Sequence, residues 1–153
     1  MKTLIIDNFL TTDECNFIIK YYESDKNKNS NKIRNIFPIA PSLKDKNINF
    51  LINKLQTTAS NFNSKIDWFQ IVKWPEGSSQ DLHIDDASNE TTLSSIIYLN
   101  DEFKGGQTYY EDGTIFKPIR GRGLFFDGMY YTHGVKIVEK GTRFVVATWY
   151  KKL

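Results

Sequence analysis

The stretch QDLHIDD, residues 80–86, carries one of the chain's two histidines two positions before an aspartate, and THGV carries the other at position 133. In an extended backbone, side chains two apart leave the same face, because strands alternate with a period of two. His83 and Asp85 can therefore point at one ion. With His133 as a distant second imidazole they compose a two-His-one-carboxylate facial triad, which leaves three positions on ferrous iron for a cosubstrate and dioxygen. Zinc accepts the same three ligands, so the triad alone does not name the metal.

Arg143, ten residues beyond His133, begins the apolar run RFVVATWY. An arginine entering a strand that is apolar on both faces is costly to bury unless something anionic meets it, and a carboxylate would do so. A simple hairpin around Lys140 and Gly141 would set His133 opposite Thr148 and leave Arg143 five residues away, roughly 17 Å along the strand. That is too far to share one small ligand. The two strands are therefore expected in opposite sheets, with His133 and Arg143 facing each other across a barrel interior and the guanidinium fork aimed at the far carboxylate of a dicarboxylate.

The elements that position these residues divide into two regions. Helix signals are confined to the first 62 residues. Thr11 and Glu14 have capping-box spacing ahead of an apolar stripe of Cys15, Ile18, Ile19 and Tyr22, and Ile48, Leu51 and Leu55 form the stripe of a second helix from about Lys44 to Ala59, with Leu43 or Phe62 at its ends. Between them SDKNKNSNKIRN is polar and predicts a solvated loop, with gating of the site by residues 24–35 as its functional alternative. From Asp67 onward, DWFQIVKW, TLSSIIYLN, QTYY, TIFKPI, GLFFD, GVKIV and RFVVATWY are strand candidates separated by turn signals. About eight short strands predict a mainly β fold, a double-stranded β-helix (jelly roll), with the N-terminal helices on one outer face. Residues 1–153 are expected to form a single domain.

The net charge of +2 is spread over interspersed acids and bases, which gives nucleic acid little electrostatic purchase. A sole cysteine, Cys15, excludes an intrachain disulfide and suits a reducing cytoplasm. The opening MKTLIIDNFL is too short in apolar residues for a signal peptide or a bilayer span, so no membrane partner is expected. Nothing in the residues fixes an oligomeric state.

Taken together, HID, LSSIIYLNDEFKGGQT, KPIRGRGLFFDG, HGV and GTRFVVATWY resemble the 2-oxoglutarate and iron(II)-dependent dioxygenases, in particular the prolyl 4-hydroxylase-like group, over roughly residues 68–150. The resemblance implies a domain with Fe(II) held by His83, Asp85 and His133, and 2-oxoglutarate, O2 and ascorbate as cosubstrates and reductant. It implies that Arg143 and Tyr98 bind the C5 carboxylate of 2-oxoglutarate and that Trp149, an aromatic near the metal pocket, belongs with them to the cofactor-binding residues. The implied reaction hydroxylates a prolyl residue in a peptide or protein and releases succinate and carbon dioxide. A free amino acid or other small metabolite is the alternative substrate, and a non-catalytic metal-binding jelly roll is the alternative role. Three departures stand out: Trp74 in KWPEG replaces the tyrosine common before this proline, Ala147 stands where some relatives have threonine, and no substrate-binding arginine is evident near Thr91.

Overall fold

The computed structural model describes residues 1–25, 35–85 and 90–153. Most of the loop proposed to gate the site, 24–35, lies outside the described residues.

The chain opens with strand β1 (Leu4–Ile6) and helix α1 (Thr12–Ser24). The predicted capping box forms: Thr11 Oγ1 accepts from the Glu14 N–H at 3.1 Å, and the Glu14 carboxylate accepts from the Thr11 N–H at 2.9 Å. Two of the orphan donors at the helix start are thereby satisfied. After β2 (Phe37–Ile39), the second helix starts later than its apolar stripe predicts. Asp45 caps a 3₁₀ turn, Lys46–Ile48, by accepting from the Asn47 N–H, and α2 (Asn49–Ser60) follows. Ile48, Leu51 and Leu55 are fully buried and Phe62 packs on the same cluster, whereas Leu43 is exposed.

The β region comprises β3 (Ser64–Trp74), β4 (Gln80–His83), β5 (Thr91–Tyr98), β6 (Lys104–Gly105), β7 (Thr108–Tyr110), β8 (Ile115–Phe116), β9 (Gly123–Phe126), β10 (His133–Val135), β11 (Val138–Lys140) and β12 (Arg143–Lys152). Six strands form one sheet in the order β1-β9-β5-β12-β3-β2, four form the facing sheet β4-β10-β7-β8, and β11 and β6 pair separately. This is the expected jelly roll, with the helices on one outer face. β10 and β12 lie in opposite sheets, as the hairpin argument requires. The segment GVKIV is not one strand but two, because Val138 leaves β10's sheet to pair with Gly105.

Period-two alternation along the six-stranded sheet creates two cores. Phe69, Ile71, Leu93, Ile97, Phe125, Val146 and Tyr150 point toward the helices and pack with Cys15, Ile18, Leu51 and Leu55. Val72, Trp74, Tyr98, Leu124, Phe126 and Val145 point the other way, toward Tyr110, Phe116 and Val135 of the facing sheet. The sheet is covered on both sides, which is why β12 is apolar on both faces.

Cys15 is fully buried under α1, and burial pushes its thiol pKa up to about 11. Since the thiolate is the reactive form, Cys15 is expected to resist a chromogenic disulfide reagent at pH 8 in the native chain and to react within seconds in denaturant. Rapid labelling of the native chain would show that α1 does not stay docked. No helix among the described residues is long and apolar enough to cross a membrane.

Candidate metal and cosubstrate site

His83 ends β4, His133 begins β10, and the two are direct partners in the antiparallel ladder between these strands. The register alone brings the rings to 4.4 Å between centroids. Both are oriented by the same local device: His83 Nδ1 lies 2.9 Å from the Asp81 carbonyl and His133 Nδ1 lies 2.7 Å from the Tyr131 carbonyl. A carbonyl only accepts, so each Nδ1 carries the proton and each Nε2 is turned to the site. Asp85, just past β4, places Oδ1 3.4 Å from His83 Nε2 and Oδ2 3.4 Å from His133 Nε2.

All three ligand atoms lie within 4.8 Å of one another. Ligands at about 2.1 Å from one ion stand at most about 4.2 Å apart, so the set closes on a cation with movements below about 1 Å. Two imidazole nitrogens with committed Nδ1 protons and one carboxylate therefore fit a divalent metal, and the orienting carbonyls are the usual outer support of such ligands. Burial opposes ionisation of Asp85, but contacts with His133, His83 and Ser94 outweigh it and hold the carboxyl below the ordinary carboxylate range.

Sequence reasoning missed two residues that hold Asp85. Ser94 Oγ donates to Asp85 Oδ2 at 2.8 Å, and the Asp85 N–H donates to the Gly128 carbonyl at 2.9 Å. The parity of LSSIIY was the available signal, since Ser94, Ile96 and Tyr98 share the face opposite the helix-facing Leu93 and Ile97. A Cβ on Gly128 would come within 2.3 Å of Ser94 Oγ and 2.6 Å of Asp85 Oδ2. Those two oxygens are side-chain ends that can turn, but Asp85 Cβ stands behind them at 3.0 Å, so Gly128→Ala is expected to shift Asp85 at a modest cost in stability. Metal affinity should nevertheless fall by about 10–100-fold, the usual penalty for disturbing a ligand's supporting shell. Chelator competition and a thermal melt separate these effects, and an unchanged metal affinity would show that Asp85 tolerates the displacement.

A cavity of about 360 Å³ runs between the two sheets from this triad to Arg143. Arg143 is fully buried. Its Nη2 donates to Thr108 Oγ1 at 3.3 Å, while Nε and Nη1 have no hydrogen-bond partner among the described residues. The guanidinium sits against aromatic faces instead, 4.9 Å from the Trp74 centroid and 5.4 Å from that of Tyr98. Burial pushes its pKa down, opposed only by Tyr98. The Tyr98 hydroxyl bonds to Thr108 Oγ1 at 2.6 Å, so Thr108 links the tyrosine to the arginine. Gly106, at φ 65°, lets the backbone pass close to this group, since a Cβ there would lie 3.1 Å from Arg143 Cδ.

Arg143 and Tyr98 are thus brought together, but Trp149 does not join them. It lies six residues along β12, about 20 Å at strand rise, opposite Ser94 in the ladder and therefore at the Asp85 end. There it stacks on Trp68 at 4.1 Å and 14°. Ala147 and Trp74 both line the cavity.

The sequence profile of the 2OG-Fe(II) oxygenase superfamily matches residues 69–151. Over 64 residues the chain is 41% identical to prolyl 3-hydroxylase 2 of Homo sapiens, an alignment covering 37% of this chain and 9% of that protein. The corresponding match to prolyl 3-hydroxylase 1 of Gallus gallus is 38% identical with the same coverage. The chain thus spans about a tenth of the length of the curated relatives it matches. Among solved structures, the viral collagen prolyl hydroxylase of Paramecium bursaria Chlorella virus-1, in complex with 2OG, superposes with a TM-score of 0.80 at 20% identity, covering 100% of this chain and 97% of that one. A prolyl-4-hydroxylase of Pseudomonas putida gives 0.77 at 15% identity, with 99% and 92% covered. At such identities these two likenesses establish the shared fold. With the profile spanning more than half of its residues, the chain belongs to the 2OG-Fe(II) oxygenase superfamily.

Proposed function

We propose that the chain is a prolyl 4-hydroxylase-like dioxygenase that uses Fe(II), 2-oxoglutarate and O2 to hydroxylate a prolyl residue within a peptide or protein. His83, Asp85 and His133 would hold the iron, and Arg143 with Tyr98 the C5 carboxylate of the cosubstrate. Held there, iron would supply the chemistry that joins oxidative decarboxylation of 2-oxoglutarate to hydroxylation of a C–H bond, with succinate, carbon dioxide and the hydroxylated residue as products and ascorbate as an accompanying reductant. The chain's own share is to hold three ligands on one side of the cavity, fix the diacid from the other, and exclude water between the sheets.

The observation that carries the peptide reading is the charge inventory of the cavity. Among the described lining residues, the charged side chains apart from the histidines are Asp85 and Arg143. With one assigned to the metal and the other to the cosubstrate, neither remains for the ammonium and carboxylate of a free amino acid, groups that are costly to bury unpaired. A prolyl residue inside a chain carries neither. The mouth offers apolar surface instead, with Trp68 and Ile84 each exposed.

Incubation of the iron-loaded chain with 2-oxoglutarate and either proline-containing peptides or free amino acids, followed by mass spectrometry, tests this. A gain of one oxygen on peptidyl proline is expected, and product on free amino acids alone would refute it. The curated relatives matched over part of the chain are 3-hydroxylases by name, so the ring position is read by comparing the acid-hydrolysed product with 3- and 4-hydroxyproline standards. Absence of succinate formation with every substrate would favour a non-catalytic metal-binding role.

A further inference from the structure

Trp74 stands at the deep end of the cavity, directly across the β3–β12 ladder from Arg143. It is 5% exposed, and its indole Nε1–H has no hydrogen-bond partner among the described residues. Arg143 Cζ lies 4.9 Å from its centroid, and Arg143 Nε and Nη1 lack partners too. Leaving a buried donor unmet costs about 1–3 kcal/mol, so native proteins rarely do it. Here three donor nitrogens are unmet on two adjacent side chains. No carboxylate among the described residues pairs with Arg143, whose neighbouring acceptors are the hydroxyls of Thr108 and Tyr98, and these are also bonded to each other. Donors gathered with fewer acceptors than they can use are the complement of an anion rich in lone pairs.

We infer that Trp74 is a second binding residue for the distal carboxylate of the 2-oxo diacid, its indole N–H donating beside the Arg143 guanidinium. The inference rests on the reading of Arg143 as the diacid's anchor. The departure from tyrosine at this position then exchanges one donor for another rather than losing the contact. It also sharpens selection. An indole N–H donates and never accepts, so it favours an ionised carboxylate over a ligand that offers a hydroxyl or amide N–H at the same place.

The test uses zinc-loaded chain, which binds without turnover, and two probes that share a 2-oxo acid head: 2-oxoglutarate with the distal carboxylate and 2-oxobutyrate without it. Trp74→Phe keeps a ring against Arg143 and removes the N–H. Calorimetry is expected to show the 2-oxoglutarate Kd rising about fivefold to tenfold, as for one charge-assisted hydrogen bond, with the 2-oxobutyrate Kd unchanged. Equal weakening of both probes, or of neither, overturns the inference. A wild-type chain that binds both probes equally overturns the anchor reading of Arg143 instead, so the two failures are distinct. A measurement on the unsubstituted chain covers the case in which the variant misfolds. The chain has three tryptophans, so the Trp74 indole resonance can be assigned from spectra of Trp68→Phe and Trp149→Phe. It is expected to move downfield with 2-oxoglutarate and to stay in place with 2-oxobutyrate, and a stationary resonance with both refutes the assignment.

Discussion

His133→Ala is expected to abolish 2-oxoglutarate turnover and to weaken divalent-metal binding by at least about 100-fold. The imidazole is one of three ligand atoms clustered within 4.8 Å, and alanine leaves Asp85 with a single neighbouring histidine. The ring also packs edge-on against Phe126 at 4.9 Å, so its removal leaves a void beside the inner core. That loss is of the order of 1–3 kcal/mol and should not unfold the chain. Succinate formation reports turnover, chelator competition reports the metal, and circular dichroism reports the fold. Retained turnover in a folded variant would remove His133 from the ligand set.

Arg143→Met is expected to act in opposite directions on stability and on binding. In the ligand-free chain the guanidinium is fully buried with two nitrogens unpaired, a desolvation cost of several kcal/mol that an apolar side chain of similar length does not carry. The ligand-free variant should therefore melt at or above the wild-type temperature. Binding of 2-oxoglutarate should fall by about 2–5 kcal/mol, or roughly 30-fold to several-thousand-fold, because the distal carboxylate loses its charged partner. The thermal shift that 2-oxoglutarate gives the wild type should vanish at the same concentration. A ligand-free variant destabilised by more than about 2 kcal/mol would mean that the arginine supports the fold rather than a ligand.

The sequence expresses much of this arrangement because the arrangement depends on parity. His83 and Asp85 are two apart on one extended segment, and the ten-residue separation of His133 from Arg143 would keep them from one small ligand in a shared hairpin, so opposed sheets follow from counting once both are asked to meet it. The capping box and the stripe of Ile48, Leu51 and Leu55 are equally local. What escaped is non-local or too brief for a period. β1, β2 and β6 span two or three residues each and exist because a neighbouring strand offers an edge. Ser94 and Gly128 are ordinary residues until β5 and the turn after β9 carry them to Asp85. Trp149 lies on the same cavity-facing parity as Arg143, yet distance along β12 separates it from the Arg143 end, and only an assembled sheet shows which end carries the His83, Asp85 and His133 cluster.

β12 divides its labour between its two sides. Val146 and Tyr150 are locked beneath the helices, while Val145 and Ala147 line the cavity across the same backbone. The interior wall can therefore be re-lined without disturbing the layer that keeps the scaffold upright. A lineage, or a designer, could fit this cavity to bulkier or smaller guests at Val145 and Ala147 alone, and the helical buttress would not register the difference.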